Sequence, residues 1–315
     1  MIKVMQLLRT ERQGHHLIVQ IPPHWDGLTI EHVLRDLWQV PKKMRHEWRM
    51  ERAILLNNKP VPFHEILKKG DRMSVPVFTG PELNIKPQIM DLSVLFEDDH
   101  FLIVNKKAGL PTHPNHPDDQ NTLLNGVYAY LKKKDPSGPI YIQHVHRLDQ
   151  ETTGAILFAK HPLAKSMLDR LIAERKIVRT YNAIVTGILE KDTGTIRAKI
   201  GRDRHHPTKR RVSKTGKTAI THYRAIDHDR KRKLTLVECQ LETGRTHQIR
   251  VHFAHMGHPL AGDTLYGGKP IFPRPALHAR TLAFDHPFTG QRINVKAPYL
   301  DQPPIFPDEL TRQDV

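Results

Sequence analysis

Residues 144–160 read HVHRLDQETTGAILFAK, with Arg147 and Asp149 two positions apart, then a Thr-Thr-Gly turn, then an apolar run. A charged pair, a turn and a strand in that order put Asp149 in the loop that feeds the strand. There its carboxylate is available as a nucleophile or a general base. An aspartate in such a loop more often only caps a turn. The surrounding sequence has to decide.

Downstream, VRTYNAIVTGIL (178–189), THYRAIDHD (221–229) and LTLVECQLETG (234–244) are rich in β-branched residues. The last alternates Val237, Cys239 and Leu241 with Glu238, Gln240 and Glu242, the pattern of a half-buried strand. Two amphipathic helices are expected. NTLLNGVYAYLKKK (121–134) carries Leu124, Val127, Tyr128 and Leu131 on one face, and HPLAKSMLDRLIAERK (161–176) carries Ala164, Met167, Leu168, Leu171 and Ile172. Upstream, SVLFEDDHFLIVNKKAGL (93–110) reads as two strands broken at Asp98-Asp99, followed by the turn-rich PTHPNHPDDQ. Helices do not alternate regularly with these strands, so the spacing predicts an α+β unit with a mixed, mainly antiparallel sheet.

The N-terminal part reads separately. GLTIEHVLRDLW (27–38) predicts a helix capped by Thr29 with Ile30, Val33, Leu34 and Leu37 facing inward. The next helix carries Lys42, Lys43, Arg45, Arg49 and Arg52 against Glu47 and Glu51. ILLNNKPVP predicts a hairpin turning at Asn57-Asn58, because asparagine tolerates positive φ, and KKGDRMSVPV predicts a closing turn and strand. The expected division is residues 1–78, a linker over 79–91, a large unit over 92–300 and a tail over 301–315.

The chain holds 49 Lys and Arg against 33 Asp and Glu in 315 residues, a formal charge of +16. Such a surplus predicts a polyanionic partner, because each neutralised phosphate releases counterions. The excess is concentrated in RDRHHPTKRRVSKTGK (202–217), which includes Lys209, Arg210, Arg211, Lys214 and Lys217 and has a local net of +6. No apolar run is long enough to span a bilayer, and the N-terminus lacks a signal-peptide pattern. One cysteine, Cys239, excludes an internal disulfide framework. The cytoplasm is the expected compartment. The 22 histidines, among them His144, His146, His247, His252, His255 and His258, form no metal-binding signature, and no metal is expected.

HRLD followed by ETTG resembles the catalytic motif of the RluA-type pseudouridine synthases. LFEDDHFLIVNKKAGLPTHP, VRTYNAIVTG, GKTAITHY, LETGRTHQIRVHFAHMGHPLAGDTLYG and LHARTLAFDHPFTG extend the resemblance, in the family's order, from about Leu95 to Gly290. Lys107 stands where that family commonly has proline. Residues from about Trp25 to Val77 resemble an S4-like RNA-binding domain, on Arg52, Ile54, Leu55, Asn57, Val61 and Gly70-Asp71, with Asn58 in place of an expected glycine.

The resemblance implies an RNA pseudouridine synthase that needs no cofactor. It makes Asp149 the essential carboxylate, Arg250 the cation that holds its charge, and Tyr181 the ring beside the uracil. Ile249 would wall the flipped base, and Arg147 would fill the gap it leaves in the stack. Large-subunit ribosomal RNA is the favoured partner and transfer RNA the alternative, with no DNA or membrane partner and a monomeric state. Two rivals remain: a catalytically silent RNA-binding assembly factor, and a metal-dependent hydrolase using Asp149 as base, which the lack of clustered carboxylates disfavours.

Overall fold

The computed structural model describes residues 8–79 and 85–306, apart from 115, 117, 137 and 139. The N-terminal part opens with strands β1 (Thr10–Gln13) and β2 (His16–Gln20), which the sequence reading did not foresee. Helix α1 (Ile30–His32) is entered through Thr29, whose Oγ1 accepts the His32 amide at 3.2 Å. Over Val33–Leu37 the helix widens, so that the Trp38 amide reaches the Val33 carbonyl. A wider turn rotates each residue by a smaller angle. The expected inward position therefore passes from Leu37, 41% exposed, to the buried Trp38.

Helix α2 (Lys42–Met50) precedes the hairpin β3 (Leu55–Leu56) and β4 (Lys59–Pro60), with Asn57 and Asn58 at φ of 50° and 67°. Two consecutive positive φ values make a type I′ turn, whose twist suits paired strands. Strand β5 (Arg72–Val75) joins β2 to β3 and completes a sheet in the order β1-β2-β5-β3-β4.

The larger part contains β6 (Ser93–Glu97), β7 (Phe101–Lys106), α3 (Leu123–Lys134), β8 (Gln143–His144), β9 (Thr153–Ala159), α4 (Pro162–Ala173), β10 (Val178–Thr186) and β11 (Thr193–Arg197). It continues with β12 (Ile200–Arg202), β13 (Arg210–Val212), β14 (Ile220–Asp229), β15 (Leu234–Leu241), α5 (Gln248–His255), β16 (Leu277–Asp285) and β17 (Arg292–Lys296). Its main sheet runs β11-β14-β15-β10-β16-β9-β7-β6, with β17 on β16 and β8 on β9. Every pairing but one is antiparallel; β16 meets β9 in parallel. The α+β class and the mixed, mainly antiparallel sheet are as expected.

That parallel contact explains the glycine of the Thr-Thr-Gly turn. Gly154 has φ +112°, and a Cβ there would lie 2.2 Å from the Ala279 carbonyl oxygen. Only glycine lets the strand leaving the Asp149 loop approach β16 so closely. Helix α3 has a comparable position. A Cβ on Gly126 would collide with Met90, so this glycine lets the connecting segment cross the helix. There the Asn125 Nδ2 donates to the Lys86 carbonyl at 2.8 Å. Residues 80–84 of the expected linker lie outside the described residues.

The hydrophobic core of the N-terminal part is continuous with the apolar layer between α4 and the main sheet. Trp38 meets Phe288 edge-on at 5.6 Å, Phe78 meets His161 at 5.0 Å, and Arg170 Nη1 donates to the Trp38 carbonyl at 3.2 Å. At the C-terminal end, Asp301, Ile305 and Phe306 pack while 302–304 are exposed. Asp301 accepts two bonds from Arg274, and Ile305 and Phe306 are buried. Residues 307–315 lie outside the described part. Among the described residues no helix is long and apolar enough to cross a membrane.

Candidate active site

Asp149 stands in the loop between β8 and β9, and that loop is pinned from two sides. Thr112 exchanges two hydrogen bonds with Leu148, donating to its carbonyl and accepting from its amide. From the other side comes Lys106, fully buried at the end of β7. Its Nζ donates to the carbonyls of Lys107, Leu110 and Gln150 at 3.0, 2.7 and 2.6 Å. Burial pushes the Lys106 ammonium down to about 7, with nearby Glu151 and Asp149 opposing the fall. Three carbonyls take up its three N–H bonds, two from the segment after β7 and one from the Asp149 loop, so the buried ammonium ties the two together.

The chain brings Arg250 to Asp149 on α5. Its Nη1 lies 3.5 Å from Asp149 Oδ2, while Nε and Nη2 fork onto Asp263 at 2.7 and 2.9 Å. Asp149 is 16% exposed and Asp263 1%. Burial works against the guanidinium's charge, but Asp263 and then Asp149 outweigh it and hold its pKa above the usual value. Asp263 therefore fixes the cation, and one guanidinium edge is left for Asp149. The sequence reading quoted the Gly-Asp at 262–263 within a motif and gave Asp263 no role. Asp263→Ala is expected to cost roughly 3–5 kcal/mol, because a buried guanidinium loses its fork partner. Urea unfolding checks it, and a loss below about 1 kcal/mol would contradict the buried pair.

Helix α5 starts from a strained backbone. His247 is the residue before the first turn, and it is held at φ 58°. Its Nε2 lies 3.9 Å from Asp149 Oδ2 and its Nδ1 2.8 Å from the Tyr266 hydroxyl. That hydroxyl accepts the Arg210 amide at 2.9 Å, leaving its proton for His247 Nδ1. The Nε2 proton then faces the Asp149 carboxylate. Burial lowers the His247 pKa, and Asp149 opposes the fall. The Tyr266 ring also lies under the Arg250 guanidinium at 5.0 Å.

A cleft of about 500 Å³ opens over Asp149, lined by Arg147, Tyr181, Ile249 and the 243–248 segment. Thus five of the expected residues, Asp149, Tyr181, Arg250, Arg147 and Ile249, converge at one place. Tyr181 and Ile249 are buried, and burial pushes the Tyr181 hydroxyl above its usual pKa. Arg250 does not line the cleft but supports Asp149 from behind it.

The other expected cations lie on two basic surfaces. Strands β12 and β13 form a hairpin that carries Lys209, Arg210 and Arg211, with Lys214 and Lys217 in the turn after it. Lys209 Nζ stands 5.6 Å over the Tyr266 ring, so the hairpin is seated next to the site. In the N-terminal part, Lys42 and Lys43 are exposed on α2, whereas Arg45 and Arg49 both bond Glu31. Arg49 also covers Phe63, and Arg52 follows the helix at φ 50°. Several of the histidines named in the sequence have partners of their own: His252 bonds Thr221 and Ala198, His258 the Thr186 carbonyl, and His144 stacks on His113.

Residues 100–255 match the family model described as RNA pseudouridylate synthase, and residues 17–73 match that of the RluD ribosomal pseudouridine synthase N-terminal domain. The chain is 43% identical over 289 residues to the uncharacterized RNA pseudouridine synthase YhcT of Bacillus subtilis, covering 91% of this chain and 95% of that one. It is 40% identical over 311 residues to the ribosomal large subunit pseudouridine synthase D of Pseudomonas aeruginosa, covering 94% and 95%. Among solved structures, human RNA pseudouridylate synthase domain containing 1 superposes with a TM-score of 0.54 at 26% identity, over 70% of this chain and 86% of that one. With the cleft, its carboxylate and relatives matched over nearly their whole length, the chain belongs to the RNA pseudouridine synthase family.

Proposed function

We propose that this chain isomerises uridine in large-subunit ribosomal RNA, with Asp149 as the reacting carboxylate. The observation that carries this reading is Asp149 in a cleft rich in arginine, backed by the Arg250–Asp263 pair. Isomerisation breaks the bond from N1 to C1′, turns the uracil and joins C5 to C1′, while the proton on C5 leaves and N1 gains one. No electrons are exchanged and no cofactor is required. Whether Asp149 adds to the sugar or removes a ribose proton, the half-committed Arg250 stands 3.5 Å from its carboxylate. Tyr181 stands by the uracil to stack on it and take part in proton removal at C5, and Ile249 walls the base. Arg147, at the cleft mouth, takes the stacking position of the extruded nucleotide.

Ribosomal RNA is supported by the ribosomal relatives and by the matched N-terminal domain. The hairpin cations Lys209, Arg210, Arg211, Lys214 and Lys217, and the N-terminal cations Lys42, Lys43, Arg45, Arg49 and Arg52, supply contacts to structured RNA on either side of the reaction. A monomer in the cytoplasm, acting where ribosomal RNA is made, completes the reading.

The test is tritium release from RNA labelled at uracil C5, in excess chelator, offered large-subunit ribosomal RNA, its precursor particles and transfer RNA. Release from the ribosomal substrates is expected. Release from transfer RNA alone would replace the substrate, and binding of every RNA without release from any would leave an RNA-binding factor.

A further inference from the structure

Arg179 lies on β10, two residues before Tyr181, so both side chains leave the same face of the strand and line the cleft. It is 7% exposed. Its Nε is buried without a hydrogen-bond partner, and its guanidinium makes no hydrogen bond or ion pair with any of the described residues. Burying a cation without an acceptor is costly, and folded chains avoid it unless something else supplies the partner.

No acid of the cleft is free to do so. Asp149 faces Arg250, and Glu242 is taken by Arg175 and by His222 at 2.7 Å. Arg179 acts electrostatically on His146 and Tyr181, and burial lowers the first to about 3 and raises the second, so neither provides a negative charge. Gly244 forms the roof. A Cβ there would lie 3.2 Å from Arg179 Nη1, so a side chain at 244 would crowd the guanidinium. With Arg147, Arg175 and Arg245 also lining the cleft, the site carries four guanidinium groups against two committed carboxylates.

We infer that Arg179 binds a backbone phosphate of the RNA next to the extruded uridine, so that the missing acceptor arrives with the substrate. The inference rests on the reading of this cleft as the uridine site. A guanidinium fork matches two phosphate oxygens, and its place beside Tyr181 would hold the sugar-phosphate while the base is turned. The stability lost by burying it unpaired is recovered only when RNA is bound.

The experiment uses the full chain and an RNA shown to be modified by the wild type, so that failure of the uridine-site reading appears before any variant is made. Thermal melting without RNA, RNA affinity across a salt series, and turnover are compared for wild type, Arg179→Met and Arg179→Lys. Because Met fills the space without the charge, Arg179→Met is expected to melt at the same temperature as wild type or roughly 2–4 °C above it. Its affinity should fall about tenfold or more, and the slope of log affinity against log salt by about 1. Arg179→Lys should keep the slope. A methylphosphonate in place of the phosphate flanking the target uridine should weaken wild type and leave Arg179→Met unaffected. An Arg179→Met protein that melts lower or does not fold would overturn the inference, since a structural arginine alone predicts that. So would an unchanged salt slope with reduced turnover, which would place Arg179 on a uracil carbonyl.

Discussion

Asp149→Asn is expected to fold and bind RNA like wild type while losing isomerisation by roughly 10⁴-fold or more, the scale on which enzymes fail when the reacting group is removed. The fold should survive because Arg250 keeps its fork on Asp263, so no buried cation is orphaned by the change. The backbone of the loop is held by Lys106 and Thr112, neither of which bonds the Asp149 side chain. Asparagine retains the shape and an acceptor for Arg250 Nη1 but cannot become an anion. Tritium release and RNA affinity measured together check this. Release within about tenfold of wild type would move the reacting group elsewhere in the cleft.

Acid should unfold the protein early, through histidines buried where the N-terminal part meets the main sheet and beneath the cleft. His161 accepts the Ala164 amide on Nδ1 and so presents its Nε2 proton to His100 Nδ1, 3.0 Å away. The pair is complete only when both rings are neutral. Burial lowers His100 to about 2, with His161 and His286 adding to the fall and Asp98 opposing it. Burial lowers His161 to about 3, helped by Arg12 and Lys160. His146, whose Nε2 accepts the Leu157 amide, is lowered to about 3 by burial and by Arg179 and His144.

These values lie below the ordinary 6.5, so as the pH falls from there the unfolded chain takes up protons that the folded chain refuses. Stability falls with pH in that window. At pH 4.5 each ring costs roughly 2–3 kcal/mol, and three together rival the 5–15 kcal/mol that holds a typical domain. Denaturant unfolding at pH 7 and pH 4.5 measures the loss. His161→Asn keeps a side-chain acceptor at the start of α4 but does not titrate. It should lose about 2–3 kcal/mol less than wild type over that interval; an equal loss would show that these rings do not govern acid stability.

Much of the site was legible because its chemistry sits in contiguous stretches. Arg147, Asp149 and the Thr-Thr-Gly turn are neighbours in the chain, and the glycine's conformation is a local demand. Tyr181 lies in a stretch rich in β-branched residues, and Ile249 in a contiguous motif that carries the family resemblance. What failed were details set by backbone geometry. The widening of α1 moved Leu37 outward and Trp38 inward. Strands β1 and β2 carry short, mixed patterns that only their pairing makes regular.

The sequence alone determined several of the strands and helices, the α+β class, the basic surplus and the residues able to do the chemistry, because local propensity, periodicity and side-chain type act over a few neighbouring residues. Only the tertiary structure decided which charges neutralise one another. Asp263 takes the Arg250 fork, Glu31 takes Arg45 and Arg49, and Arg179 is left unpaired in the cleft. Such pairings join residues distant along the chain, and their strength depends on separation and burial, which exist only once the sheet has closed and water has been expelled.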